Sequence, residues 1–276
     1  MSFATTPSAA APALRPGLSC RFTRAILRRP AATIARGLRA EDLGDPDLVR
    51  FERQHADYRA ALEAAGLAVT LLPPLDDYPD SVFVEDAALC LPGLAVALRP
   101  GAPSRRGEAA ALRPDLEAAF PDVLDLPEAA RIDGGDILVT DREILVGLSA
   151  RSDAAGAEAL ARVLAPYGYA LRRTGTPPGV LHLKSDCATL GGETVLATPR
   201  LAASGCFAGY RVIETAAGEA AAANAIRVND RVFLAAGFPR TAERLAAAGY
   251  DLAVLDLSEA AKLDGGLSCL SLRFSG

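Results

Sequence analysis

The chain has 276 residues, half of them apolar, and carries 34 acidic and 29 basic side chains for a net charge of −5. That length can bury a substantial core without disulfides or a structural metal, and acids and bases mixed along it leave no basic stripe to grip a phosphate backbone, which argues against nucleic acid as a partner. No apolar run approaches the ~18 residues of a membrane span, and the N-terminus lacks the basic start and apolar block of a signal peptide, so a cytoplasmic protein with no membrane partner is expected.

Residues 1–18 are small, Pro-containing and without periodicity, and read as a disordered leader ahead of one domain over residues 19–276. From there one plan recurs: an extended pair of apolar runs, an amphipathic helix, and a short apolar strand. A helix from Asp47 to Ala65 carries the stripe Leu48, Phe51, His55, Tyr58 and Leu62, is closed by Gly66, and is followed by the strand LAVTLLP. VFVEDAALCL and LAVALRP form a hairpin around Pro92-Gly93, followed by a helix over 108–120 and the strand VLDLP. DILVT, a turn at Asp141-Arg142, EILVGLS, a helix over 154–167 and YALRRTG make the third unit. CATL, Gly191-Gly192, ETVLATP, a short helix over 201–207 and YRVIET make the fourth. AIRV, Asn229-Asp230, RVFLAAG, a helix over 241–248 and LAVLDLS make the fifth, and CLSLRF pairs back onto RFTRAIL.

Five ββαβ units whose last strand joins the first predict an α/β protein closed into a pseudo-fivefold ring, because closure removes exposed sheet edges. The segments preceding each hairpin, DYPDSVFVED, RIDGGD, GVLHLKSD, AAANA and KLDGGLSC, then converge on the ring axis.

Those segments hold most of the reactive side chains. The five cysteines form no CxxC pair, and with only His55 and His182 present there is no clustered ligand set for a metal; free thiols and no metal are expected. Cys269 follows LDGGLS, where paired glycines permit an unusual turn; by itself it could equally be a small residue opening the last strand. Thiolate is the strongest nucleophile among the side chains, and its formation is helped by a neighbouring cation. If the chemistry needs an imidazole near neutral pH, His182 is the candidate, since His55 lies within a helical packing stripe. Glu85 and Asp86 adjoin apolar VFV, and Asp133 and Asp136 flank Gly-Gly before another strand. Carboxylates buried there require a cationic or hydrogen-bonding partner, and a guanidinium supplies both with bidentate geometry.

Taken together, DSVFVEDAAL, RPGAPSRR, DGGDILVTDREILVGLSAR, LHLKSDC and LDGGLSC resemble the dimethylarginine dimethylaminohydrolase family of the guanidino-modifying superfamily, over residues 20–274. The resemblance implies a five-bladed α/β propeller around a central polar pocket. It implies Cys269 as nucleophile, His182 as general acid and base, and Asp133 as the carboxylate completing the triad, with Asp136 the alternative. Asp86 is similar to the acid that binds the guanidinium nitrogens. Arg105 and Arg151 resemble the carboxylate clamps, Asp80 the α-amino partner, Glu85 and Leu263 further pocket contacts, and Ile34 the apolar residue of the family's lid. The implied reaction is hydrolysis of methylated arginine, a small-molecule substrate, to citrulline through a covalent thiouronium, with no cofactor, in a monomer or homodimer. An arginine deiminase, an amidinotransferase and a non-catalytic arginine-derivative binder are the alternatives; the even spacing leaves little room for the helical insertion typical of deiminases.

Overall fold

The computed structural model describes residues 15–276. Of the leader expected over 1–18, residues 1–14 lie outside the described residues. Residues 15–18 belong to a turn held by Asp141, whose carboxylate accepts the N–H groups of Gly17 and Ser19 and the Ser19 hydroxyl.

Blade one starts with β1 (Arg24–Arg28), helix α1 (Leu48–Ala64) and β2 (Ala68–Leu72). Asp47 caps α1 by accepting the Arg50 N–H, and Gly66 at φ +95° turns the chain out of it. Blade two holds β3 (Ala88–Leu91), β4 (Leu94–Ala97), α2 (Glu108–Ala119) and β5 (Asp122–Asp125). Blade three holds β6 (Ile137–Val139), β7 (Ile144–Leu148), α3 (Ala154–Leu164) and β8 (Leu171–Gly175). Blade four holds β9 (Cys187–Thr189), β10 (Thr194–Ala197), α4 (Pro199–Ala202) and β11 (Arg211–Glu214). Blade five holds β12 (Ile226–Val228), β13 (Arg231–Ala235), α5 (Pro239–Ala247) and β14 (Asp251–Leu255). The last strand, β15 (Leu272–Phe274), pairs antiparallel with β1, Ile26 opposite Leu272, and closes the ring.

Each blade is a three-stranded sheet with one antiparallel and one parallel pairing. The parallel return needs a crossover, which is why a helix falls between the second and third strands of every blade. The architecture is the expected five-bladed α/β propeller.

Two elements differ from the sequence expectation. VFVED does not extend the second hairpin: Pro79–Val82 and Val84–Ala87 are 3-10 turns, and the strand starts only at Ala88. The turns direct the Asp80 and Phe83 carbonyls onto the buried Arg105 guanidinium, which an alternating strand would not do. The helix expected over 201–207 is a single turn over Pro199–Ala202, started by the Thr198 side chain accepting the Leu201 N–H and followed by a left-handed turn at Gly205.

The 3-10 turns entering the blades pack side by side around the axis: Val84–Ala87 against Ser268–Leu270 and Gly134–Asp136, and Leu183–Ser185 against Gly134–Asp136 and Ala220–Ala223. Tyr58 anchors one of them from below. Fully buried on α1, its hydroxyl donates to the Leu267 carbonyl at 3.0 Å and shares a hydrogen bond with Ser271. Tyr58→Phe therefore removes the pin beneath the loop carrying Cys269 and should cost about 1 kcal/mol, seen as a melting temperature lower by about 3 °C in a domain of this size. An unchanged melting curve would show the hydroxyl to be redundant.

Candidate active site

A cavity of about 190 Å³ opens at one end of the axis, lined by Leu38, Asp80, Phe83, Asp86, Arg105, Arg151, Leu181, His182, Leu263 and Cys269 among others. Side chains from every region of the chain meet there because the axial turns converge. Gly134 and Gly135 make the closest approach possible: a Cβ on Gly134 would lie 1.9 Å from the Glu85 carbonyl oxygen, and one on Gly135 2.7 Å from His182 Nδ1.

His182 Nε2 is 2.9 Å from Asp133 Oδ2. Asp133 is fully buried and held from its other side by the Gly101 N–H at 2.6 Å, while its own N–H donates to Ser152. Asp136, the alternative partner, is turned away: its oxygens accept the Ser149 hydroxyl and the Leu183 N–H. The contact with the imidazole falls to Asp133.

Burial works against a charged His182, but the carboxylates Asp86, Asp133 and Asp136 outweigh it and hold its pKa up at about 9. Burial likewise opposes ionisation of Asp86, yet His182, Arg105 and the Gly135 N–H bring it down to about 2. Burial, then Glu85 and Asp86, push the Cys269 thiol up to about 11. Near neutral pH these charges favour an imidazolium, an ionised Asp86 and a neutral thiol. Ligating atoms of Asp86, Asp133 and His182 lie within 4.8 Å of one another, a spacing able to hold a cation.

Arg105 is less free than a substrate clamp would be. Its Nε and Nη2 donate to Glu108, Nη1 to Asp86, and Nη2 also to the Phe83 and Asp80 carbonyls, leaving a single Nη1 hydrogen. It is chiefly a strut for Asp86. Arg151 differs: its Nη1 is buried without a hydrogen-bond partner, 3.6 Å from Asp133 Oδ2. Asp80, whose pKa burial raises, accepts the Leu38 N–H at 2.9 Å and ties the 34–40 segment to the cavity wall.

Two predicted residues are placed elsewhere. Ile34 is 1% exposed and packs in the core with Val82, Phe83 and Leu263, so it does not reach the cavity; Leu38, four residues on and 37% exposed, lines it instead. The 3-10 turn Ile34–Arg36 rotates Ile34 inward, a detail with no signature in RRPAATIARGLR. Glu85 faces away from the cavity, its carboxylate accepting the Ser268 hydroxyl at 2.8 Å and pairing with Lys184 and Arg273. Its neighbour Asp86 points toward Arg105 and the cavity, since consecutive side chains of a 3-10 turn diverge by about 120°.

Glu108, Lys184, Asn224 and Ser268 join the site's surroundings without having been expected. Glu108 could have been found as an acid three residues after Arg105 at a helix start; the others carry no local signal.

A closed five-bladed α/β propeller with a cysteine, a carboxylate-bound histidine and buried acids around one axial pit is the setting of a thiol-dependent enzyme for a cationic group. The arginine deiminase family model matches residues 49–172. The chain is 39% identical to N(G),N(G)-dimethylarginine dimethylaminohydrolase of Pseudomonas aeruginosa over 92% of its own length and all of that protein, and 34% identical to the Streptomyces coelicolor protein of the same name over 91% of its length and 96% of that one. A solved structure of the Pseudomonas aeruginosa enzyme, a cysteine-to-serine variant complexed with citrulline, superposes with a TM-score of 0.89 at 38% identity, covering 92% of this chain and all of that one. The chain belongs to the dimethylarginine dimethylaminohydrolase family. Among the described residues, no helix is long and apolar enough to cross a membrane.

Proposed function

We propose that the chain hydrolyses Nω-methylated arginines, asymmetric dimethylarginine and monomethylarginine, to citrulline and an alkylamine. The observation that carries this is one cavity combining Cys269, His182 bound to Asp133, the ionised Asp86 and an Arg151 whose Nη1 lacks a hydrogen-bond partner. The acids suit a guanidinium, and Arg151 suits a carboxylate at the other end.

The substrate's guanidinium brings positive charge beside the thiol and favours thiolate over the neutral form, the thiol's proton leaving to solvent because His182 is already protonated. The Cys269 sulfur attacks the guanidinium carbon while Asp86 orients its nitrogens. Asp133 holds His182 through Nε2, leaving Nδ1 to deliver a proton to the departing amine; the C–N bond breaks and a thiouronium remains on sulfur. Neutral His182 then takes a proton from water as it attacks the same carbon, and cleavage of the C–S bond releases citrulline and restores the thiol. Leu38 and Leu263 line the cavity, Leu38 in place of Ile34 as the apolar residue of a lid. Asp80 receives the α-amino group. We place the enzyme in the cytoplasm, as a monomer or homodimer.

The test is citrulline formation from methylated and plain arginine. Faster turnover of methylated substrate is expected; faster turnover of plain arginine would make the chain a deiminase, which the family-model match over residues 49–172 gives reason to include. Arg151→Ala should raise KM for methylarginine roughly 100-fold, with a smaller fall in kcat because Arg151 Nη1 also lies 3.6 Å from the Asp133 oxygen that holds His182. Steady-state kinetics with a methylated guanidine lacking the carboxylate should show no such penalty; an equal penalty would move Arg151 away from that end.

A further inference from the structure

Asn224 ends the 3-10 turn Ala220–Ala223 at the entry to blade five, where the sequence AAANA otherwise offers only alanine. Its side chain reaches across to the loop carrying Cys269. Oδ1 accepts the Ser268 N–H at 2.9 Å, and Nδ2 is directed at Cys269 Sγ at 3.9 Å. The two amide ends are not interchangeable: Ser268 N–H needs an acceptor, which fixes Oδ1 there and leaves the NH₂ group for the sulfur. Gly266 keeps this approach open, since a Cβ there would lie 2.4 Å from Asn224 Cγ.

We propose that Asn224 is a positioning residue for the nucleophile, its amide holding the 266–269 loop by one end and donating a hydrogen bond to the Cys269 thiolate by the other. This rests on Cys269 being the nucleophile. A sulfur donor distance of 3.9 Å is at the long end of the range, as suits a neutral thiol, and the contact tightens when negative charge forms on sulfur. The need for such a donor is visible around the sulfur. Glu85 and Asp86 act against ionisation from the Val84–Ala87 turn, and Lys184 favours it from the Leu183–Ser185 turn. Arg273, on β15, is engaged with Glu85 and with the Ser268 and Ser271 carbonyls. His182, Arg105 and Arg151 share the cavity, all three within reach of Asp86 or Asp133 carboxylates. The Gly266 backbone also favours the thiolate, and Ser268 Oγ, 3.9 Å from the sulfur, spends its proton on Glu85, which leaves Asn224 as the uncharged side-chain donor aimed at the sulfur among the described residues.

Asn224→Asp is the discriminating variant, because it keeps the oxygen that accepts the Ser268 N–H and replaces only the NH₂ by a carboxylate oxygen. The readout is alkylation of Cys269 by iodoacetamide in the absence of substrate, followed against pH with the label located by peptide mass. It depends on thiol ionisation and not on turnover, so it stands apart from failure of the proposed reaction. The thiol's apparent pKa should rise by about one unit, lowering the alkylation rate at pH 9 about tenfold. In turnover, kcat should fall about tenfold with KM within about threefold. Asn224→Ser, which removes the amide without adding charge, should shift the profile the same way by less. A profile that superimposes on the wild type in either folded variant overturns the proposal, as does a rise in KM with kcat unchanged.

Discussion

Cys269→Ser should abolish citrulline formation, by on the order of 10⁴-fold or more, with the fold intact. A hydroxyl is a far weaker nucleophile than a thiolate, and nothing around position 269 would deprotonate it. Burial, then Glu85 and Asp86, raise even the thiol, to about 11, and His182 is held as an imidazolium near neutral pH. The fold should tolerate the change: the Cys269 N–H bonds to the Gly266 carbonyl whatever the side chain, and the side-chain contacts of the sulfur with Asn224 and Ser268 are long, at 3.9 Å. Circular dichroism and a thermal melt check the fold, and a citrulline assay checks the chemistry. Residual activity above about one part in a hundred would remove Cys269 from the nucleophile's role, leaving a binding protein or another catalyst.

The second large effect is expected from Asp133→Asn, with kcat lower by about 10³-fold. Asparagine keeps the shape but removes a charge and can present its NH₂ to His182 Nε2, opposing the tautomer and the imidazolium that the carboxylate supports. The pH profile carries the sign. In the wild type the imidazolium persists until the pH passes about 9, so activity that depends on it as an acid should fall above that value. Losing the Asp133 charge lowers the His182 pKa, and the alkaline limb should move to lower pH. The same raised pKa means that the imidazolium's contribution to stability is complete below the ordinary histidine value of about 6.5 and is lost as the pH rises through about 9. A variant with an unmoved alkaline limb would show that His182 is not the acid, whatever its loss of rate.

Much of the site was legible because scarcity and separation work together in this chain. Only two histidines exist, and helix α1 claims His55, which is buried in the helix stripe with its pKa brought down to about 4 by burial. His182 was then the remaining imidazole. The acids flanking Gly-Gly stood out because carboxylates next to apolar strands have to be paired. What could not be separated was Glu85 from Asp86: adjacent in sequence, they face different charges, and which of the two turns toward the cavity depends on partners brought in from elsewhere, Arg105 for Asp86 and Lys184 for Glu85. Ile34 rested on the resemblance, and its irregular segment has no period from which to derive that Leu38 is the residue facing the cavity. Arg105 stood as a clamp on the resemblance alone; Glu108, three residues on at the start of α2, was the local sign that its guanidinium is already engaged.

Alternation, helix stripes and turn residues were enough, by themselves, to determine five ββαβ units, their order, and closure by the last strand, because those features are local and each recurs with its own period. The direction of each axial side chain was decided only in the tertiary structure. There, turns from five distant stretches meet at one axis, and hydrogen bonds between them, such as Asp133 with His182, Asp86 with Gly135 and Asn224 with Ser268, fix which carboxylate, amide or guanidinium faces the cavity. Those partners lie 44 to 49 residues apart, beyond any pattern that spacing along the chain can reveal.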